Sequence, residues 1–207
     1  GFITLEELKE FLTGLLHAVV AQVWEKHEDE LKRWNVTKPE LPKEIPTLSM
    51  AEIHELYSKD TGTSTVGEKD LRPDEEKFIC EYTKKKFSSD AVYVSEWPAS
   101  EMKFYHKVNE SNPKIADRVD LLFRGVEITT GSMRENRYDV LVGQLKELAK
   151  GDPSDPGFKP LMDSMKYGMP TQGGFGLGLE RLTQKLVGFN NIKEATLFPR
   201  DINRLAP

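Results

Sequence analysis

A chain of 207 residues, 38% of them hydrophobic, is long enough to bury one sizeable core, and 30% charged residues with ordinary Pro and Gly exclude disordered and collagen-like classes. A formal net charge of −5 excludes nonspecific coating of nucleic acid, which needs many Lys and Arg on phosphates, while leaving room for a local basic rim. The single cysteine, Cys80, excludes an internal disulfide and fits a reducing, cytoplasmic compartment, and no apolar run approaches the roughly 20 residues of a membrane span.

The opening GFITLEELKEF has no initiator Met and no signal pattern, so the chain reads as one entered mid-fold. Thr4 and Glu7 form a capping box ahead of apolar residues at helical spacing from Leu5 to Trp24, predicting a helix to about Trp34. His17 and His27 lie on it without partners at metal spacing and read as satisfied or solvated. Lys38 to Pro46, with three prolines, is a connector. Ser49 and Glu52 repeat the capping box and open a short helix through about Tyr57. The polar run Ser58 to Asp70 then reads as a surface loop that could be mobile. Pro73 starts a helix to about Phe87, with Asp74, Glu75 and Glu76 suited to its N-terminal dipole and Cys80 as a buried small hydrophobe.

From Asp90 the character changes. AVYVSEWP is a strand stopped by Pro98, and DRVDLLFRGVEITTGSMR predicts an antiparallel hairpin turning at Arg124-Gly125. Tyr138 to Ala149 and Phe158 to Tyr167 read as helices. Gly173 to Leu177 is a strand and Gly178 to Val187 a helix, with Gly188 as its C-cap. Residues 1–89 are thus mainly helical and 90–207 carry the strands, an α+β fold around an antiparallel sheet.

Three stretches could carry chemistry. The first runs from Arg124 to Arg134. Strict alternation puts Glu127 and Thr129 on one face and Val126, Ile128 and Thr130 on the other. A carboxylate, hydroxyls and an arginine can hold a metal–phosphate assembly beside an anionic substrate. The plain alternative is a half-exposed strand with a cross-strand Glu–Arg pair. The second is GGFGLGLERL, Gly173 to Leu182, which is not a phosphate-wrapping G-x-x-x-x-G-K-[ST] loop. Its glycines alternate with Phe175, Leu177 and Leu179, giving a bare backbone on one face and an apolar row on the other. That bare face suits a planar ring, with Arg181 one helical step beyond; close packing under a helix explains the pattern equally well. The third, Phe198 to Asp201, is by itself only a turn.

In order and combination, these stretches resemble the class II aminoacyl-tRNA synthetases. Gly176-Leu177-Gly178-Leu179-Glu180-Arg181 matches the third signature motif, G-x-G-x-E-R. Together with FYHKVNESNP, ADRVDLLFRGVEITTGSMRE and LFPRDINRLAP, it resembles the aspartyl/asparaginyl branch, and within it the compact, archaeal-like aspartyl-tRNA synthetases. The resemblance is dense from Asp90 to Pro207 and looser before it. It implies that Glu127 binds ATP-bound Mg2+, that Thr130 lies near metal and substrate, and that Arg134 holds the aspartate side-chain carboxylate. It also implies that Gly176, Gly178, Leu179, Glu180 and Arg181 line the ATP site, with Glu127 and Arg181 catalytic. The implied activity is that of an aspartate–tRNA ligase, discriminating or not between the tRNAs for Asp and Asn, acting as a homodimer.

The family's first two motifs, including the F-R-x-E arginine for the α-phosphate, and its anticodon-binding OB-fold are absent from these residues. The chain is therefore expected to be the C-terminal part of a catalytic domain, unable alone to form aspartyl-adenylate. Glu135 and Tyr138 to Leu141 also resemble asparaginyl-tRNA synthetases, while Phe198 to Asp201 points back to the aspartyl enzymes. Gln172 stands where many relatives carry His, and Thr130 where many carry Ser. Alternatives are an asparaginyl enzyme, a paralogue passing activated aspartate to ammonia, and a noncatalytic module.

Overall fold

The structure, a computed structural model, describes residues 1–203, so the last four residues of LFPRDINRLAP lie outside it. Helix α1 spans Leu5–Arg33, with Trp34 as its C-cap. Its capping box is formed: Glu7 N donates to Thr4 Oγ1 at 3.2 Å, and Thr4 N to Glu7 Oε2 at 2.7 Å. Leu8, Leu12, Leu16 and Val20, each four apart, form one buried stripe with Trp24, and the backbone kinks at His27. His17 is satisfied as expected, its Nε2 lying 3.0 Å from Pro42 O.

Strand β1, Thr47–Ser49, was not legible as a strand: three residues are too short to display a period. Helix α2 covers Met50–Thr61, running beyond Tyr57 until Gly62 closes it at φ 74°. Helix α3 is Pro73–Phe87, as predicted. The segment between them is anchored at its middle. Thr65 is buried and its Oγ1 donates to Glu75 Oε1 at 2.6 Å; His54 Nδ1 lies 2.7 Å from the same oxygen and its Nε2 3.2 Å from Glu68 O. The expectation of a loop from Ser58 is corrected at its start, where residues 58–61 are helical; residues 62–70 form the expected surface loop, anchored at the buried Thr65.

Strands β2 (Ala91–Ser95), β3 (Arg118–Phe123), β4 (Val126–Arg134) and β5 (Gln172–Leu177) follow. Among the described residues they form one five-stranded sheet in the order β1-β2-β3-β4-β5, antiparallel except for the parallel β1–β2 pair. Helices α4 (Tyr138–Leu148) and α5 (Lys159–Met165) lie between β4 and β5 in the chain, and α6 (Leu179–Val187) ends at Gly188, φ 75°.

Two cores sandwich the sheet. Tyr93, Val119, Leu121, Phe123 and Ile128 pack with the buried stripe of α1, whereas Val92, Val94 and Leu122 pack with Ile53, Ile79 and Cys80 of α2 and α3. This second layer leaves part of β4 and β5 uncovered, and Gly176 is exposed there. No helix among the described residues is long and apolar enough to cross a membrane.

Candidate active site

The β3–β4 hairpin turns through Arg124 (φ 47°) and Gly125 (φ 86°), the two left-handed residues that a tight hairpin requires. Four residues on, the ladder slips: Leu122 faces Glu127 while Leu121 faces Thr129, leaving Ile128 as an extra residue. This bulge overturns the strict alternation. Glu127 and Thr130 share a face, with Thr130 Oγ1 donating to Glu127 Oε1 at 3.1 Å, and Thr129 is the buried residue.

Beyond the bulge, alternation resumes and aligns the site. Thr130 faces Gly176, Ser132 faces Gly174, and Arg134 faces Gln172 across the β4–β5 ladder. The two glycines therefore present a strip of backbone beside a row of carboxylate, hydroxyls and guanidinium, open at Gly176 and overlain at Gly174 by Arg134, whose Nη2 lies 3.5 Å from where a Cβ would stand. A Cβ built on Gly176 meets nothing within 4 Å, whereas one on Gly173, facing the other way, falls 3.1 Å from Met133 Sδ and 3.3 Å from Ile3 Cγ1. Phe175 and Leu177 pack against the α1 core as expected. Leu179 departs from that row. It lies beyond the strand, in the first turn of α6, and is 65% exposed, as Glu180 is also exposed.

Gly178 caps α6, its N–H donating to Ile128 O at 2.8 Å, and the turn that follows swings Arg181 back over the sheet. Arg181 Nη1 donates to Glu127 O at 2.9 Å and lies 3.5 Å from Glu127 Oε1. Glu127 thus pairs with Arg181 rather than with Arg134. Glu76 of α3 joins them, accepting from Glu127 N at 3.3 Å; burial, opposed by that hydrogen bond, raises its carboxyl above the usual range.

Across the ladder from Thr130 stands Asp120, fully buried and held bidentately by Arg118, Nε to Oδ1 at 3.0 Å and Nη2 to Oδ2 at 2.5 Å. The Arg118 guanidinium lies 4.0 Å from the Trp97 ring centroid. Burial pushes the Asp120 carboxyl up to about 7, and nearby Glu127 adds to the rise, against the pull of Arg118. Sequence reasoning missed Asp120, Arg118 and Glu76. A charged residue inside the apolar run VDLLF was the available signal for Asp120.

Arg134 donates to Ser132 Oγ at 2.5 Å, and its guanidinium carbon lies 4.8 Å from the Tyr105 ring centroid. It opens onto a cavity of about 310 Å³ lined also by Tyr105, Glu135, Leu141 and Gln172. Glu135 is buried; burial alone would raise its carboxyl, yet two 2.8 Å bonds from Arg137 and the N–H groups of Asn136 and Arg137 hold it below the usual range. His106, bridged to Arg134 through the backbone, is buried with no partner for Nδ1 among the described residues. Burial, then Arg134 and Arg118, push it down to about 3. A groove of about 1260 Å³ along α1 and Pro42–Thr47 shares no residue with this site.

Residues 1–202 match the family model described as tRNA synthetases class II (D, K and N). The whole chain is 40% identical, over 209 residues, to the aspartate–tRNA(Asp/Asn) ligase of Thermus thermophilus, covering 48% of that protein. Over 202 residues, 98% of this chain, it is 35% identical to the aspartate–tRNA(Asp) ligase of Pyrococcus abyssi, covering 45% of it. Among solved structures, asparaginyl-tRNA synthetase from Pyrococcus horikoshii complexed with asparaginyl-adenylate superposes with a TM-score of 0.89 at 27% identity, over 100% of this chain and 46% of that one. Aspartyl tRNA synthetase from Entamoeba histolytica gives 0.87 at 27% identity, over 99% and 42%. The chain spans about half the length of the curated relatives it matches.

Proposed function

The chain belongs to the class II tRNA synthetases of the D, K and N group, and from that premise we propose that it serves the ATP-dependent activation of aspartate and its ligation to tRNA. We read it as the portion of an aspartate–tRNA ligase catalytic domain that carries the third signature motif. The observation that supports this reading is the juxtaposition of Glu127, Thr130 and Arg134 with the bare strip of Gly174 and Gly176 on one face of the sheet.

Each side chain suits a definite task. Glu127 and Thr130 present a carboxylate and a hydroxyl, and these oxygen donors fit Mg2+. When bound, Mg2+ would draw negative charge from the phosphate oxygens of ATP. The glycine strip would floor the adenine. Arg181 would leave Glu127 for the phosphate end of the nucleotide, and Gly178, Leu179 and Glu180 would form the rim of that site. Arg134 would bind the aspartate side-chain carboxylate through two parallel N–H···O bonds, oriented by Ser132 and Tyr105.

In the reaction, an oxygen of the aspartate α-carboxylate attacks the α-phosphorus of ATP and the bond to pyrophosphate breaks. The terminal ribose hydroxyl of the tRNA then attacks the activated carbonyl, releasing AMP. No side chain acts as nucleophile, so positioning and electrostatics supply the rate. tRNA for Asp or for both Asp and Asn, a second copy of the chain, and a cytoplasmic location belong to the same proposal.

The likeness to an asparaginyl-tRNA synthetase fold supports a second reading, with asparagine as substrate. The test is ATP–pyrophosphate exchange by the intact protein with aspartate or asparagine, followed by charging of purified tRNAs. Aspartate-dependent exchange and charging are expected. Exchange with asparagine only selects the second reading. Adenylate that passes to ammonia but never to tRNA, or no exchange with either amino acid, overturns both.

A further inference from the structure

A strand that outruns its neighbour leaves backbone groups unpaired, and each must find another partner. β5 ends at Leu177, opposite Thr129, so Glu127 and Ile128 of β4 find their partners beyond it. Glu127 O accepts from Arg181, Ile128 O accepts from Gly178 N, and Glu127 N donates to the Glu76 carboxylate. Glu76 is distant in sequence, on the first turn of α3, a helix rooted in the core by the buried Ile79 and Cys80. Its carboxylate is therefore delivered from a fixed base onto the backbone of a residue whose own carboxylate holds Thr130.

We propose that Glu76 is a positioning residue of the cation–nucleotide site: by accepting the Glu127 N–H it sets the direction in which the Glu127 carboxylate points. Without that acceptor, the peptide preceding Glu127 is free to turn, and the carboxylate leaves the oxygen pair it makes with Thr130. Glu76 itself does not touch the ion. Groups that orient a metal ligand in this way typically change metal affinity by about 10- to 100-fold when removed. The inference rests on the reading of Glu127 as the cation-binding acid.

The test uses Mn2+ in place of Mg2+, titrated into the intact protein with ATP, bound ion being followed by electron paramagnetic resonance without turnover. Glu76→Ala is expected to weaken Mn2+ binding by about tenfold or more. Glu76→Gln, whose amide oxygen still accepts from Glu127 N–H, is expected to stay within about threefold of wild type, the margin between a charged and a neutral acceptor. Should Glu76→Ala fail to fold, Glu76→Asp, which withdraws the acceptor by one methylene, takes its place with the same expected loss. Wild-type affinity in the Ala or Asp variant overturns the proposal, as does equal weakening by Ala and Gln, which would assign the effect to charge. An intact wild-type protein that binds no Mn2+ in the presence of ATP overturns the cation reading of Glu127 and this inference with it.

Discussion

Thr130 Oγ1 meets Glu127 Oε1 at 3.1 Å, although residues three apart on a regular strand face opposite sides of a sheet. The extra residue at Ile128 brings them together, so the Thr130 hydroxyl is partner to the carboxylate and, in the proposed function, would be a second oxygen for a cation. Thr130→Val keeps the branched shape and removes that oxygen. The expected result is a loss of about tenfold in Mn2+ affinity with ATP present, restored by Thr130→Ser, as calorimetric titration would read.

The alternating glycines of β5 should separate cleanly by face. Gly176→Ala adds a methyl group that meets nothing in the protein, so stability should stay within about 0.5 kcal/mol of wild type while ATP affinity falls. Gly173→Ala drives its methyl onto Met133 and Ile3 and should destabilise by about 1–3 kcal/mol. Urea unfolding and nucleotide titration on both variants check this; a stable Gly176→Ala that binds ATP normally would remove the adenine from that face.

Arg134 owes its orientation to Ser132 Oγ and the face of Tyr105. Lysine offers neither a planar fork nor a second parallel donor. For Arg134→Lys the KM for aspartate in pyrophosphate exchange should rise about 10- to 100-fold, as loss of a charge-assisted bond predicts, with the KM for ATP little changed. An ATP effect equal to the aspartate effect would place Arg134 elsewhere in the reaction.

Acid should destabilise the protein through His106. Its folded pKa is depressed to about 3 by burial and by Arg134, while an unfolded histidine titrates near about 6.5. Above the unfolded value both states are neutral and the stability is fully present. As the pH falls from there toward the folded value, only the unfolded chain takes up the proton, and stability declines by up to about 1.4 kcal/mol per pH unit. The slope of unfolding free energy against pH should therefore be shallower for His106→Phe across that window; an unchanged slope rejects the assignment.

The trio His54, Glu75 and Thr65 ties the chain between α2 and α3 to the second core. Removing one partner strands the others in the interior, so Glu75→Ala should cost about 3–5 kcal/mol. Amide hydrogen exchange in residues 62–71 should accelerate more than in α1. Uniform acceleration throughout the chain would mean that the trio supports the whole domain instead.

Much of the fold was legible because its signals are local. Thr4 with Glu7, Ser49 with Glu52, Pro73 and Gly188 mark helix ends by groups within one turn of the backbone they satisfy. Arg124-Gly125 marks a hairpin by its own torsion angles. The glycine alternation of β5 correctly separated a bare face from a packed one, and Glu127, Thr130 and Arg181 do meet, with Arg134 further along the same face of β4. What local reasoning got wrong was the side of the strand to which Thr129 and Thr130 belong.

By itself, then, the sequence determined where the helices begin, which face of β5 is empty, and which residue types the proposed nucleotide and acidic substrate would meet. Only the tertiary structure decided how they combine. The Ile128 bulge depends on its alignment with β3, the Glu127 amide is held by a carboxylate on α3, and Asp120 is tolerated in the interior because Arg118 and Trp97 close over it. Caps and turns are satisfied by neighbours in the chain, whereas a bulge and a buried charge are satisfied by partners that only packing brings near.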